Sequence, residues 1–528
     1  MISKNHDVYK KHFSQFRAIS GFLFIFFIAG CSPHLTAQDR SKDIEFLAQW
    51  AKDCHPLVEL DQKYKGLPNY ADLKPKYVQL AEKAKNNEEF FKVVYGYFNL
   101  ISASGHGFLL SGLSLDGYML EALFHGGITS DIPWYKFPRA SYWAKLFEDR
   151  CYVHPPFRIV RRENEYFTRD DWHSKGRTIP AGSRIRQVNG MTCSGYVDRL
   201  KEQTWLRYMS GNVDWITKNL LVVNEGKGFR GWKVDFLCPD GTMAEMFVPY
   251  KKGLSSRTSE FTDWGKNGNC VCVELTCEVG YIRVKSMGGI FIKNDRKKIS
   301  EFLERSGGKY GKLVIDIRHN SGGLVYYGCD NLIRPFLDQT VVYKQTTGIK
   351  RKILTRLGPQ AVQSLRRGVS TWAYDLKTEE INPPEGFDGD EWVFYEITRE
   401  LKPSDRYNFS GDIYVLIDGG TASAADNYAN DVRRIGYAKL VGQRTYGSAG
   451  AYFNPVLVRL PASGMIFVLE ADLLVNTDGT YNEISGTAPD IELPPCELPA
   501  SVTKDELLRD EWIAKIVEGV VGGKTHGG

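Results

Sequence analysis

Gly419-Gly420-Thr421-Ala422-Ser423-Ala424-Ala425-Asp426 is the stretch around which the rest of the chain is organised. Before it runs Asp412-Ile-Tyr-Val-Leu-Ile-Asp418, an apolar and β-branched segment with the length of a buried strand. After it, Tyr428 to Arg434 has helical periodicity. A strand, a Gly-Gly break, small residues around one serine and then a helix form a turn that can present Ser423 at a helix N-terminus. Backbone N–H groups point outward there and can stabilise an oxyanion. The plainer reading of the same letters is an N-cap serine in an ordinary α/β crossover.

Working outward, Lys312-Leu-Val-Ile-Asp316 reads as a second buried strand, followed by Asn320-Ser-Gly-Gly323. A glycine-rich turn here lets backbone amides approach a ligand closely, although Gly-Gly also serves tight crossovers. Tyr281-Ile-Arg-Val is a strand and Asp295 to Ser306 an amphipathic helix, so regular α/β structure begins near Gly280. A further helix is expected from about Tyr326 to Phe336, and a polar, loop-rich insert over 338–410. Lys439-Leu-Val-Gly442 is a short strand, Thr445 to Gly450 a glycine-rich turn and Met465 to Val475 an apolar strand region. Glu483 sits in a loop where no neighbouring charge accounts for it. Thr503 to Val521 reads as a helix.

Upstream, apolar stripes over 41–101 predict a small helical domain ending in Ser102-Ala-Ser-Gly-His106-Gly107, a histidine held between glycines. Loops on rigid scaffolds are where catalytic groups tend to sit. The aromatic-rich stretch 108–152 is expected to pack as core. From Val153 to Tyr250 the chain is strand-rich, with an Asn189-Gly190 hairpin turn and a short helix start at Thr192. Ile179 to Leu200 resembles the middle of a PDZ domain, which binds extended peptides by strand addition. A generic β-hairpin within an α/β insert is the alternative.

The 528 residues are 42% hydrophobic and 25% charged, ordinary for a multidomain globular protein. The net charge of +5 includes Lys4, Lys10, Lys11 and Arg17 against Asp7, leaving no nucleic-acid footprint in the remainder. That basic segment leads into Gly21-Phe-Leu-Phe-Ile-Phe-Phe-Ile-Ala29, right for a signal h-region. Ile28-Ala-Gly-Cys31 resembles a bacterial lipobox, so Cys31 would be lipidated and anchor an exported protein in the cell envelope. Cleavage after Leu35-Thr-Ala37 would instead release a soluble one. Nine cysteines follow Cys31, with Cys270 and Cys272 on one face of a strand. Neither a C-x-x-C pair nor a His-Cys cluster suggests a metal, and no cofactor is expected.

Four segments together resemble the C-terminal-processing (tail-specific) and tricorn-type serine protease family: Val314 to Gly323, Thr421 to Asp426, Leu440 to Gly447, and Gly486-Thr-Ala-Pro-Asp490. Their order and spacing match over roughly 280–495. The resemblance implies an α/β, multidomain chain: signal segment 1–37, helical domain 38–152, PDZ-like domain 153–266, a ClpP/crotonase-like protease core over 267–500 and a tail over 501–528. It makes Ser423 the nucleophile, with N–H groups of Ala424 and of Gly322 or Gly323 as the oxyanion hole. The processing branch carries a lysine base 25 residues after the serine; here that position is Ser448, and Lys439, the nearest lysine after the serine, precedes a strand away from the motif position, so a Ser/Lys dyad is not expected. The tricorn-like branch implies His106 as base and Glu483, 60 residues after Ser423, as its support, with Ser104 as a further hydrogen-bonding partner. His319, beside the Gly-Gly turn, is an alternative histidine, and Asp426 is expected to orient its turn. A serine endopeptidase acting on peptide or protein substrates follows. The rival is a catalytically silent peptide or ligand binder on the same fold.

Overall fold

Two parallel strands carry the two glycine turns to the same edge of one sheet. The computed structural model describes residues 32–65, 68–102, 104–105, 107–110, 132, 134–150, 153–162, 165–201, 220–221, 228–252, 268–356, 375–449, 456–496, 498–499 and 501–520. Among these, the central sheet runs in the order Cys270–Glu274, Val279–Val284, Lys312–Asp316, Asp412–Ile417, Lys439–Gly442 and Ile491–Glu492. The first pair is antiparallel and the remainder parallel. Side-chain alternation splits the sheet between two cores. Ile282, Leu313, Ile315, Ile413 and Val415 face the helices Ile292–Arg305 and Ala424–Ile435. Tyr281, Val314, Tyr414, Leu416 and Val441 face Leu507, Trp512, Ile513 and Ile516 of two short C-terminal helices, Lys504–Leu508 and Glu511–Val517. Each fully buried aliphatic side chain contributes roughly 1.5–3 kcal/mol, so burial on both faces makes these strands rigid carriers for their turns.

The N-terminal helices Ala37–Cys54, Val58–Lys65, Tyr70–Lys83 and Asn87–Ile101 do not close a core of their own. Their apolar faces merge with the strands Val456–Arg459 and Ile466–Leu469, and Phe98 stacks on Phe467 at 4.1 Å between centroids. Trp143 of the helix Phe137–Arg150 is buried, its indole N–H donating to the Ser463 carbonyl at 3.0 Å. In the region 153–252 a sheet runs Met243–Pro249, Gly231–Leu237, Arg184–Val188, Glu165–Thr168, Ile159–Arg162. Asn189 and Gly190, both at positive φ (51° and 77°), turn Arg184–Val188 back onto Met191–Thr192, as an Asn-Gly hairpin requires. The helix Cys193–Lys201 follows.

Among the described residues of 338–410, the expectation of a loop-rich insert is wrong. Val341–Lys350, Asp375–Ile381 and Trp392–Leu401 are long antiparallel strands that join Asp472–Val475 in a second sheet. One face of Trp392–Leu401 is buried along its length, and the polar letters that suggest loop lie largely on the other face. The helix expected over 326–336 is broken as well. Val325–Gly328 is α-helical, Cys329–Ile333 widens into a π-turn, and Arg334–Phe336 tightens to 3-10 geometry where Pro335 removes an N–H.

Candidate active site

Because Lys312–Asp316 and Asp412–Ile417 are parallel neighbours, both glycine turns leave the carboxyl edge of the sheet, where ligands of open α/β sheets bind. Hydrogen bonds then lock the turns together. Ala422 N–H donates to the Asn320 carbonyl at 2.9 Å, and Thr421 Oγ1 to the Ile317 carbonyl at 3.1 Å. A third turn closes from the other side: Ser423 N–H donates to Gly447 O at 3.1 Å, and Tyr446 N–H to Thr421 O at 2.8 Å.

Ser423 sits at φ 56°, ψ −126°, a conformation that L-residues adopt only at a cost of about 1–3 kcal/mol. It is the N-cap residue of the 12-residue helix Ala424–Ile435, yet its side chain makes no cap hydrogen bond. An N-cap serine has its backbone in the extended region and bonds the next turn of helix. Ser423 does neither, so the plainer reading of this turn fails and its hydroxyl is held on a strained elbow.

Gly322 and Gly323 have φ of 94° and 146°. A methyl on Gly322 would lie 2.6 Å from Ala424 N and 2.8 Å from Ser423 Cβ, so glycine is what lets this turn press against the serine elbow. Of the two amides, that of Gly322 is taken by Asn320 Oδ1 at 2.9 Å. Among the described residues no acceptor faces the amide of Gly323 or of Ala424. Met287 fixes the turn from outside: its N–H donates to Gly322 O at 2.9 Å, and its carbonyl accepts from Leu324 N–H at 2.8 Å.

Charges stiffen both turns. Arg318 Nη1 pairs with Asp510 at 2.8 Å and Arg318 Nη2 with Asp316 at 2.8 Å, and Arg283 joins the same Asp316 at 2.8 Å, all buried. Burial opposes ionisation of Asp316, but the two guanidiniums hold its carboxyl well below the usual range. The C-terminal helix is thereby pinned to the strand end below the Gly-Gly turn. His319, at φ 57°, contacts Asp418 through Nδ1 at 2.5 Å, and Asp418 also accepts the His319 and Gly420 amides. Burial opposes ionisation of Asp418, yet the imidazole and these bonds hold its pKa at about 2. This pair ties one turn to the other.

Ser448 is buried at φ 67°, and its hydroxyl has no partner among the described residues. Lys439 is exposed and lies at the opposite, N-terminal end of its strand. Asp426, in the first turn of the serine helix, accepts from Thr445 Oγ1 and so links that helix to the third turn. Burial pushes its carboxyl up to about 6, against an ordinary 3.8. A raised acid favours the folded state below pH 4 and loses that advantage as pH rises through 6. Asp426→Asn should therefore remove a pH-dependent loss of about 3 kcal/mol between pH 4 and 7. Urea unfolding of both proteins across that range measures it; parallel curves would contradict it.

Glu483 lies in the short helix Asn482–Ser485 and is buried. One carboxylate oxygen accepts Leu474 N–H at 3.1 Å, and the other has no partner among the described residues. Burial, then the charges of Glu470 and Asp472, push its pKa well above the ordinary range. This favours the protonated acid, a hydrogen-bond donor. Its helix packs on the third turn, where Asn482 Oδ1 accepts Ala449 N–H at 2.7 Å. Ser104 is also buried, with its hydroxyl donating to Asp61. The next residue, Gly105 (φ 73°), abuts Glu470: a methyl there would lie 2.8 Å from Glu470 Oε2. The strand Phe108–Leu109 then pairs with Ile466–Leu469, which runs directly into Glu470. Ser104 and Glu483 are thus brought to one buried acidic neighbourhood, with Glu470 between them. His106 and Cys31 lie outside the described residues. Sequence reasoning does not single out Asp61 or Glu470; the one signal is a pair of acids, Glu470 and Asp472, inside an apolar strand run. Among the described residues no cluster of His, Cys, Asp and Glu is arranged to hold a metal ion, and no helix is long and apolar enough to cross a membrane.

A serine on a strained elbow, beside two amides with no acceptor among the described residues, has the geometry that acyl-transfer chemistry can use. Residues 278–493 match the sequence profile of peptidase family S41. Among solved structures, mature CPAF aligns over 92% of this chain and 99% of its own, at 14% identity and a TM-score of 0.57. The CPAF s499a mutant aligns over 93% and 99%, at 12% identity and a TM-score of 0.59. These likenesses are of fold. The photosystem II D1 C-terminal processing protease aligns more loosely, over 92% of this chain and 98% of its own, at 14% identity and a TM-score of 0.39. No curated protein sequence matches the chain.

Proposed function

We propose that the chain is an exported serine endopeptidase that hydrolyses peptide bonds through an acyl-enzyme. Ser423 Oγ attacks the peptide carbonyl, and His106 takes its proton and returns it to the leaving amine. The amides of Gly323 and Ala424 hold the oxyanion, and water then releases the acyl group. Glu483, in the buried acidic neighbourhood beside the Ser104-Gly105 turn, supports the histidine. Residues 1–37 direct export, with Cys31 as the lipid anchor in the cell envelope, and the PDZ-like region 153–266 presents an extended peptide. The observation that carries this reading is the Ser423 backbone, strained and without a capping bond. An imidazole near its unperturbed pKa is a competent base at neutral pH, which suits a chain with Ser448 at the lysine position.

Ser448 at the lysine position, its hydroxyl without a partner among the described residues, favours the rival reading, a silent binder. A fluorophosphonate probe separates the two. The peptidase is expected to label stoichiometrically at Ser423, and His106→Ala should slow labelling by about two to four orders of magnitude. Folded protein that does not label would leave the binder standing.

A further inference from the structure

The edge strand Cys270–Glu274 carries two thiols on one face, with Cys270 Sγ and Cys272 Sγ 3.9 Å apart. Cys270 is buried and Cys272 half-buried, so one sulfur is reachable and the other waits behind it. Residues i and i+2 of an extended strand have Cα atoms about 6.6 Å apart, at the wide end of what a disulfide spans. A bridge is therefore attainable only if the strand tightens, and a strand with one neighbour among the described residues can give. A bridge formed under such strain is a labile one.

The position of the pair links it to the site. Asn269, next to Cys270, is buried and holds Ser286 by both backbone groups: Ser286 N–H donates to Asn269 Oδ1 at 3.0 Å, and Asn269 Nδ2 donates to Ser286 O at 2.8 Å. The same Nδ2 reaches Asp295 at 2.6 Å. Ser286 Oγ donates to Gly322 O at 3.3 Å, and the following Met287 N–H donates to that same carbonyl. From the thiols to the Gly322-Gly323 turn there is an unbroken path of one side chain and two short backbone steps.

We propose that Cys270 and Cys272 form a reversible thiol–disulfide site, and that closing it displaces Asn269 and loosens the Gly322-Gly323 turn. The oxidant is a low-molecular-weight disulfide. The Cys272 thiolate attacks one of its sulfurs and expels the first small thiol. Cys270, losing its proton, attacks the Cys272 sulfur of the mixed disulfide and expels the second. Two electrons pass to the oxidant and two protons leave the protein. Cys270 is the slower partner, because its bond with Cys272 and its burial raise its pKa well above 9.0.

The test incubates the full chain in glutathione redox buffers, followed by non-reducing peptide mapping. A Cys270–Cys272 link that dithiothreitol reverses and Cys272→Ser abolishes is expected. A persistent glutathione adduct on Cys272, a Cys272–Cys277 link or unmodified thiols would overturn the site. Hydrogen exchange at the Met287 and Leu324 amides should quicken in the oxidised form; unchanged protection would overturn the coupling. Fluorophosphonate labelling should slow by about tenfold to a hundredfold on oxidation. That last readout alone rests on the peptidase reading, and absent labelling in the reduced protein would indict that reading and leave the chemical and exchange results to decide the site.

Discussion

Ser423→Ala should lower peptide hydrolysis by about five to six orders of magnitude while leaving the fold intact. The two halves of that expectation have separate origins. Turnover falls because no other hydroxyl is held on the elbow; Thr421 Oγ1 is engaged at Ile317 O and Asp418. Stability is kept because the Ser423 side chain caps nothing, and alanine at φ 56° is strained about as much as serine. Ser423→Gly sharpens the point. Glycine relieves the strain, so that variant should be equally inactive yet more stable by up to about 1 kcal/mol. Kinetics on a quenched peptide, with thermal unfolding of all three proteins, checks both halves. Hydrolysis by Ser423→Ala above one part in a thousand of wild type would reassign the nucleophile.

The strands under the site were legible because strands buried on both faces are nearly continuous apolar runs, as in Leu313-Val-Ile-Asp316 and Ile413-Tyr-Val-Leu-Ile417. Their pairing side by side, which puts both turns at one edge, was implied only by the family resemblance. The second sheet was missed because its strands bury one face and fill the other with Lys344, Glu396 and other charges. Helices with one apolar stripe were found, but not that their stripes close onto Phe467 and its neighbours from the far end of the chain. Within the site, letters alone could not choose between Gly322 and Gly323. That choice depends on Asn320 turning its side-chain oxygen onto the Gly322 amide, a bond set by loop conformation rather than by spacing. The placement of Glu470 was hidden for a similar reason: Gly105, which it abuts, is far from it in sequence.

Gly322→Ala is the substitution expected to separate the site's geometry from its chemical groups. It removes no hydroxyl, acid or amide, and Asn320 can still accept the residue's N–H. The added methyl would meet Ala424 N at 2.6 Å, Ala422 O at 2.8 Å and Ser423 Cβ at 2.8 Å, two of these being backbone atoms that cannot rotate away. The φ of 94° adds strain of about 1–3 kcal/mol. Relief requires the Gly-Gly turn and the serine elbow to move apart. Met287 and Leu324 hold the turn from behind, while Asn320 O and Gly447 O hold the elbow, so several bonds must yield together. If the Gly323 amide is the proposed oxyanion donor, moving it should cost about two to three orders of magnitude in kcat, as losing one oxyanion donor does elsewhere. KM should change far less, because the donor acts on charge that develops after binding. Steady-state kinetics, with circular dichroism as a check on folding, measures this. A folded Gly322→Ala protein with wild-type kcat would mean that the Gly322-Gly323 turn does not form the oxyanion hole, and the second donor would have to be sought elsewhere around Ser423.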